Sequence, residues 1–402
     1  MPVMVMSQFN AGVSQVNITG PIGSTMYGYG ARGSALSTGV HDSLYARTLI
    51  LSDGRVKVAL VTLDMGAIYA TSTRRIRKGL SEKLGLNHLM LIASHSHSTP
   101  TNLENFPSEG DPWLKEIERR ITRSIIDANQ NLQPAFIASS KGEVNEGFNR
   151  RLVKVNGEVT MMWRNEERIP TSPLDYELGV IHIKTKDKSL ATLVNFACHP
   201  VVLGPDNLEY SADYPGAVSR KVSEAIGGQV MYLPGAQGDI NPFEDKQPVE
   251  QGGFEQVDRL GSEIAKEVQR LIGRMVHYES NLEMFVRKEV IDLAKRQDVN
   301  RIHRDVPAEI STLLVGNNLA FGFFPGEFFV EHGLSLKSRS PIENTFFVGY
   351  TNDHLTYFPT IQATTEGGYG AATRTFVEVG AGERLVNRVL INLLYLAGKI
   401  SP

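Results

Sequence analysis

The sequence predicts an α/β fold: a mixed sheet or sheets flanked by helices, with residues 1–402 forming one large domain. Three observations lead there. Apolar, β-branched runs alternate with amphipathic helical segments along most of the chain. Several of those runs break off into polar or Gly-bearing loops, the pattern of strands that end at a ligand-facing edge. No linker, low-complexity tract or internal repeat divides the chain, and the alternative reading is two domains split near residue 280.

The elements follow in order. "RVKVALVTLDMGAIY" (Arg55 to Tyr69) reads as a strand, and "TSTRRIRKGLSEKLG" as a helix with a Thr start and a Gly stop. "HLMLIASHSH" is a strand running into a loop. "PWLKEIERRITRSIIDANQNL" (Pro112 to Leu132) is a helix opened by proline. "AFIASSKGEV" is a strand, and "LVKVNGEVTMMW" a hairpin turning at Asn-Gly. "LGVIHIKT" and "LATLVNFACH" form a strand pair joined through "KDKS". A helix ("YPGAVSRKVSEAIGG"), a strand ("QVMYLPG") and a long amphipathic helix ("FEQVDRLGSEIAKEVQRLIG") come next. Strands flank the polar break at Gln297 to Asp305. "NLAFGFFPGEFF" and "NTFFVGYTND" are apolar strands with polar exits, and "AGERLVNRVLINLLYLAG" is the last helix.

Apolar content of 41% and charged content of 21% suit a soluble globular chain. A net charge of -3 with scattered Lys and Arg argues against nucleic acid as a partner. No apolar run reaches the ~18 residues of a membrane span. One cysteine, Cys198, rules out a disulfide within the chain, and "MPVMVMSQFNAGVSQ" lacks a secretion signal's basic start and apolar core. Both lead to an expectation of the cytoplasm, with a leader removed beforehand left open.

The strand exits carry the chemistry. "ASHSHSTP" holds His95 and His97, which share one face if the strand continues. "NFACHPVVLG" places His199 at a strand end, "YLPGAQGDINP" holds Asp239, "FFPGEFF" holds Glu327, and "GYTNDHLTYFPT" holds His354 and Tyr357. Each has a plainer account: a core histidine for His199, a buried ion pair for Glu327, a core aromatic for Tyr357, a self-capped turn for Asp239, packing for Cys198. Together, His95, His199 and Glu327 make the His, His, Glu donor set of a catalytic zinc site with an open position, and His97 could take a proton from a bound water.

The same loops resemble the catalytic domain of neutral/alkaline non-lysosomal ceramidases. "GVSQVNITGPIG", "MYGYG", "HDSLYARTLIL", "ASHSHSTP", "GFNRR", "YELGVIHI", "NFACHPVVLG", "SADYPG", "GAQGDINP", "PGEFF" and "NDHLTYFPT" with "TEGG" follow in that family's order from about residue 10 to about 375. The resemblance implies Zn2+ held by His95, His199, Glu327 and Tyr357. It implies His97 as the group that handles the proton or the oxyanion, and Arg150 as a contact to the substrate's polar head. It also implies departures. Asn241 stands where the family has a serine considered as a nucleophile, and His354 and Thr365 stand where it has tyrosines near the substrate. The family's C-terminal immunoglobulin-like domain is expected to be absent. The resulting expectation is a zinc-dependent hydrolase that cleaves a ceramide-like N-acyl amide with metal-activated water. Arg150 or a backbone N–H would steady the oxyanion, and Asp213 and Asp239 would orient ligand imidazoles or cap loops. A zinc esterase or lactonase, or a non-catalytic ligand-binding homologue, are the alternatives.

Overall fold

The computed structural model describes residues 8–84, 86, 88–101, 112–296 and 306–401. Within them the chain runs three times through the same series: three antiparallel strands, a helix, a fourth strand parallel to the third, and a second helix. The first pass is β1 (Asn10–Asn17), β2 (Tyr45–Ser52), β3 (Lys57–Leu63), α1 (Ala70–Leu84), β4 (His88–Ala93) and α2 (Pro112–Gln130). The second is β5 (Phe136–Glu143), β6 (Glu177–Lys184), β7 (Ser189–Phe196), α3 (Asp213–Ile226), β8 (Gln229–Pro234) and α4 (Gly253–Arg274). The third is β9 (Met284–Leu293), β10 (Val306–Val315), β11 (Leu319–Phe323), α5 (Val330–Arg339), β12 (Asn344–Val348) and α6 (Ala381–Leu396). The sequence shows no repeat because the passes share topology and burial pattern, not residues.

Alternation along each strand explains how the sheets pack. One set of side chains points to a core that all three sheets share: Leu60 and Ile92 from the first, Ile181 and Leu193 from the second, Leu313 and Phe346 from the third. Their neighbours point outward under the helices. Val61 and Leu91 meet Ile76 and Ile121; Val180 and Val194 meet Val218 and Ile264; Leu314 and Phe347 meet Leu336 and Val389. With both faces covered, the strands read as unbroken apolar runs. The three sheets form the walls of a prism around one core, so the chain does not divide near residue 280. Removing a side chain as central as Phe321 should cost about 3–5 kcal/mol.

The Asn-Gly segment forms a ribbon of Arg151–Val153 paired with Val159–Met161. Strands β9 and β10 flank the polar break, which itself lies outside the described residues, as does loop 102–111. Among the described residues no helix is long and apolar enough to cross a membrane.

Candidate metal centre

In every pass the third and fourth strands run parallel, and their carboxyl ends open at the same end of the prism. One exit of each pair carries a potential ligand, and the other carries the group that orients it. His95 lies two residues beyond β4 with φ 72, a left-handed conformation that a non-glycine residue seldom adopts unless its surroundings hold it. Its Nδ1 is 2.7 Å from the carbonyl oxygen of Gly66, in the exit of β3. His199, beyond β7, has Nδ1 2.5 Å from the Gln237 carbonyl and 3.2 Å from that of Ile240, both beyond β8. A carbonyl only accepts, so both imidazoles carry their proton on Nδ1 and leave Nε2 bare. Glu327 follows the Pro-Gly corner after β11, and its Oε1 is 3.0 Å from Nε2 of His354, in the exit of β12. Glu327–Phe328 pairs in parallel with Tyr357–Phe358, which sets Tyr357 beside the carboxylate.

The bare atoms converge. Glu327 Oε2 lies 3.4 Å from His95 Nε2 and 3.3 Å from His199 Nε2. These separations are long for charge-assisted hydrogen bonds, which run about 2.7–2.9 Å. They match the ~3.3–3.4 Å edge of a tetrahedron whose centre is ~2.0–2.1 Å from each donor. Two bare imidazole nitrogens thus face one carboxylate oxygen with no proton of their own to share, a donor set that could hold a divalent cation. His95, His97 and His199 each offer a nitrogen within 4.8 Å of the others. Burial lowers His199 to about 4, so it is neutral at ordinary pH. Burial alone would raise Glu327, and the hydrogen bond between its Oε1 and His354 works against that rise.

His97 stands at the edge of the cluster, with Nε2 3.3 Å from His95 Nε2. Since His95 Nε2 is bare, His97 supplies the proton between them. Its buried Nδ1 has no partner and lies against Gly28, where a Cβ would come within 2.4 Å. A proton there would be left unpaired, so both contacts favour the Nε2–H tautomer. Burial, then the neighbouring His95, lowers its pKa well below the ordinary value.

Arg150 lies on the other side of Tyr357. Its Nη2 donates to the Tyr357 hydroxyl (3.0 Å) and the Gly238 carbonyl (2.6 Å), and its Nη1 to Asn241 Oδ1 (3.2 Å). Trp163 and Tyr369 flank the guanidinium, with ring centres 5.5 and 5.3 Å from Cζ. Burial works against this charge, but Tyr357 and Glu327 raise the pKa above its ordinary value. Burial likewise raises the Tyr357 hydroxyl, keeping it a phenol.

The structure therefore brings His95, His97, Arg150, His199, Glu327, His354 and Tyr357 together. Asn241 joins them behind Arg150, whereas Asp213, Asp239 and Thr365 are engaged elsewhere. Asp213 accepts from the backbone N–H of Tyr214 and Leu203, fixing the loop after His199. Asp239 accepts from Val330 N at the start of α5 and from Asn149 Nδ2. Neither carboxylate orients an imidazole, because backbone carbonyls already occupy both Nδ1 positions. Asn241 is locked between Arg150 and Asp245, to which it donates at 2.7 Å. Thr365 is exposed on a short helix, Ile361–Glu366, with its hydroxyl on the Gln362 carbonyl. Cys198 packs under the helices of the second sheet.

Sequence reasoning missed the first layer around the imidazoles. Tyr27 stands edge-on to His95 and His97, with centroids 5.6 and 5.7 Å away. Tyr350 stacks on His95 at 4.3 Å. Buried Arg32 donates to the carbonyls of Tyr27 and His97, both at 2.7 Å, tying the first loop to the histidine loop. Gly66 lacks the Cβ that would strike the Tyr27 ring at 2.1 Å. The alternation of Tyr and Gly in "MYGYG" is the one local signal of such close packing.

The comparisons with known proteins agree with this architecture. The family model described as neutral/alkaline non-lysosomal ceramidase, N-terminal, matches residues 9–246. Neutral ceramidase 3 of Arabidopsis thaliana is 28% identical over 162 residues, which cover 36% of this chain and 21% of the plant protein. That match thus spans about a fifth of the relative's length. The crystal structure of neutral ceramidase from Pseudomonas aeruginosa superposes with a TM-score of 0.81 at 16% identity, over 98% of this chain and 75% of that one. A structure of a ceramidase complexed with C2 gives 0.80 at 16% identity, over 98% and 76%. Three-sheet architecture and family match together establish that the chain belongs to the neutral/alkaline non-lysosomal ceramidase family.

Proposed function

We propose that the chain is a zinc-dependent hydrolase that cleaves the amide bond of a lipid-like N-acyl substrate. The observation that carries this reading is the approach of His95 Nε2 and His199 Nε2 to Glu327 Oε2, at 3.4 and 3.3 Å, with their remaining polar atoms committed elsewhere. Two imidazoles and a carboxylate are the donors of catalytic zinc sites, with Tyr357 close enough to join them. When bound, zinc supplies a Lewis acid for the scissile carbonyl and a water of lowered pKa. The residues of the chain do the rest. The Gly66 and Gln237 carbonyls hold two imidazoles in the ligating tautomer, and His354 fixes the free oxygen of Glu327. Arg150 holds the Tyr357 hydroxyl and presents a cationic edge between Trp163 and Tyr369. His97, with its proton on Nε2, is the donor to a developing oxyanion, a contribution of about 3 kcal/mol. Family membership points the substrate toward N-acyl amides.

A second reading, an ester or lactone as the substrate, is favoured by Asn241 and Thr365. The first has no nucleophile and the second does not reach the site, so less help is on hand for an amine leaving group. Elemental analysis of the purified protein and of His199→Ala, followed by turnover of matched amides, esters and lactones, tests both. Stoichiometric zinc that falls in the variant, with amide hydrolysis, is the expected result. Full zinc occupancy in His199→Ala would remove the ligand assignment. Hydrolysis of esters with amides at background would replace the first reading by the second.

A further inference from the structure

Fifteen large apolar side chains stand out in solvent among the described residues, and five of them fall between residues 152 and 169. Leu152, Val153, Trp163 and Ile169 are 39–46% exposed, and Val155 is fully so. Single exposed apolar residues are ordinary, but a concentration of them marks a partner. Turn tips are normally polar. Here the tip of the ribbon is a valine.

The ribbon is built to hold that tip out. At its base, Arg151 grips the short helix through the Gly367 carbonyl at 2.5 Å and Glu366 at 3.0 Å. The turn closes through Gly157 N to the Lys154 carbonyl at 2.9 Å and Lys154 N to the Glu158 carbonyl at 2.8 Å. Leu152 and Val153 lie on opposite faces of the ribbon, and Val155 at its end, so the apolar surface wraps a narrow blade. The ribbon is also continuous with the metal centre. It starts one residue after Arg150, and Met162 N returns to the Arg150 carbonyl at 2.7 Å. Trp163, whose ring flanks the Arg150 guanidinium, stands partly in water beside it.

We propose that this ribbon seats the protein on a lipid surface, inserting Val155 and its neighbours so that an amphiphilic substrate passes from that surface to the metal centre. The proposal rests on the lipid-like amide reading above. A blade exposed on both faces suits a fluid phase that closes around it, whereas a second protein offers one fixed surface. The exposed charges of the segment balance, Lys154, Arg164 and Arg168 against Glu158, Glu166 and Glu167, which matches a zwitterionic surface rather than an anionic one.

Flotation of the full chain with phosphatidylcholine vesicles tests this without substrate, so a failure of the hydrolase reading leaves the result untouched. The wild type should float, with little response to added salt. Val155→Asp and Leu152→Ser, both at exposed positions, should each lower partitioning by about ten-fold or more. Both variants should hydrolyse a water-soluble short-chain N-acyl amide at the wild-type rate and lose the same factor on a vesicle-embedded long-chain one. Absence of wild-type flotation, equal flotation of the variants, or binding confined to anionic vesicles and abolished by salt would overturn the proposal. So would a dimer that Val155→Asp dissolves without any vesicle binding, which would give the tip to a second copy.

Discussion

Substitution of Gly28 by alanine isolates His97 from the ligands. Gly28 has φ 99, and a Cβ built on it lies 2.3 Å from His97 Cγ and 2.7 Å from its Cβ. Those atoms are the root of the ring, so the imidazole cannot swing aside and must be displaced whole. Left-handed backbone costs alanine about 1–2 kcal/mol, and the collision about 1–3 kcal/mol more. A loss near ~3 kcal/mol is easily survived. With ~2.1 cal/mol/K per residue, the 402-residue chain has an unfolding entropy of about 0.84 kcal/mol/K, so the melting temperature should fall by only about 4 °C. On the proposed mechanism the oxyanion donor is lost in the same step, lowering kcat by about 10²–10³-fold. Zinc content should not change, because His95, His199 and Glu327 do not touch Gly28. Scanning calorimetry, elemental analysis and amide turnover read the three consequences separately. Zinc lost together with activity would place His97 among the ligands, and a variant of wild-type stability and rate would refute the packing argument.

Three further outcomes follow from other contacts. His354→Phe keeps the ring but removes the 3.0 Å partner of Glu327 Oε1, and zinc affinity measured against a chelator should weaken by about 10–100-fold. Asp239→Ala strips Val330 N and Asn149 Nδ2 of their acceptor and should cost about 2–5 kcal/mol in denaturant unfolding, while zinc affinity stays as in wild type. A fall in affinity would restore the role in orienting an imidazole. His182, between Tyr278 and Ser189, is lowered to about 4 by burial, so the unfolded chain takes up its proton first as pH drops. Its contribution is full above about 6.5 and drains away between 6.5 and 4, by at most ~3 kcal/mol. The stability difference between wild type and His182→Asn should shrink across that window in urea titrations, and a constant difference would count against it.

Most of the architecture could be read from the sequence because both signals are local. Strands such as β7 and β11 are apolar on both faces and too short for helices, and α4 repeats its apolar residues at helical spacing. Strand β9 was harder. It is an edge strand whose alternate residues Lys288, Val290 and Asp292 stand in water. The threefold series of elements left no trace, since Leu60, Leu193 and Phe321 fill matching places with unlike neighbours. At the metal centre, His95, His199 and Glu327 could be singled out because a polar side chain at the end of an apolar strand is conspicuous. The groups that aim them are backbone carbonyls of Gly66 and Gln237, which no side chain announces. Asp213 and Asp239 drew attention as carboxylates, yet each is consumed by backbone N–H groups within reach.

His95, His199 and Glu327 leave three different sheets, so no single sheet can hold the ion and a shared one would act as a rivet through all three walls of the prism. Saturating zinc should then raise the unfolding free energy of the entire chain, by about 4 kcal/mol when the free ion stands at ~1,000 times its Kd. Opening any one wall would release it, which makes zinc retention a gauge of whether the three passes of the chain remain docked together.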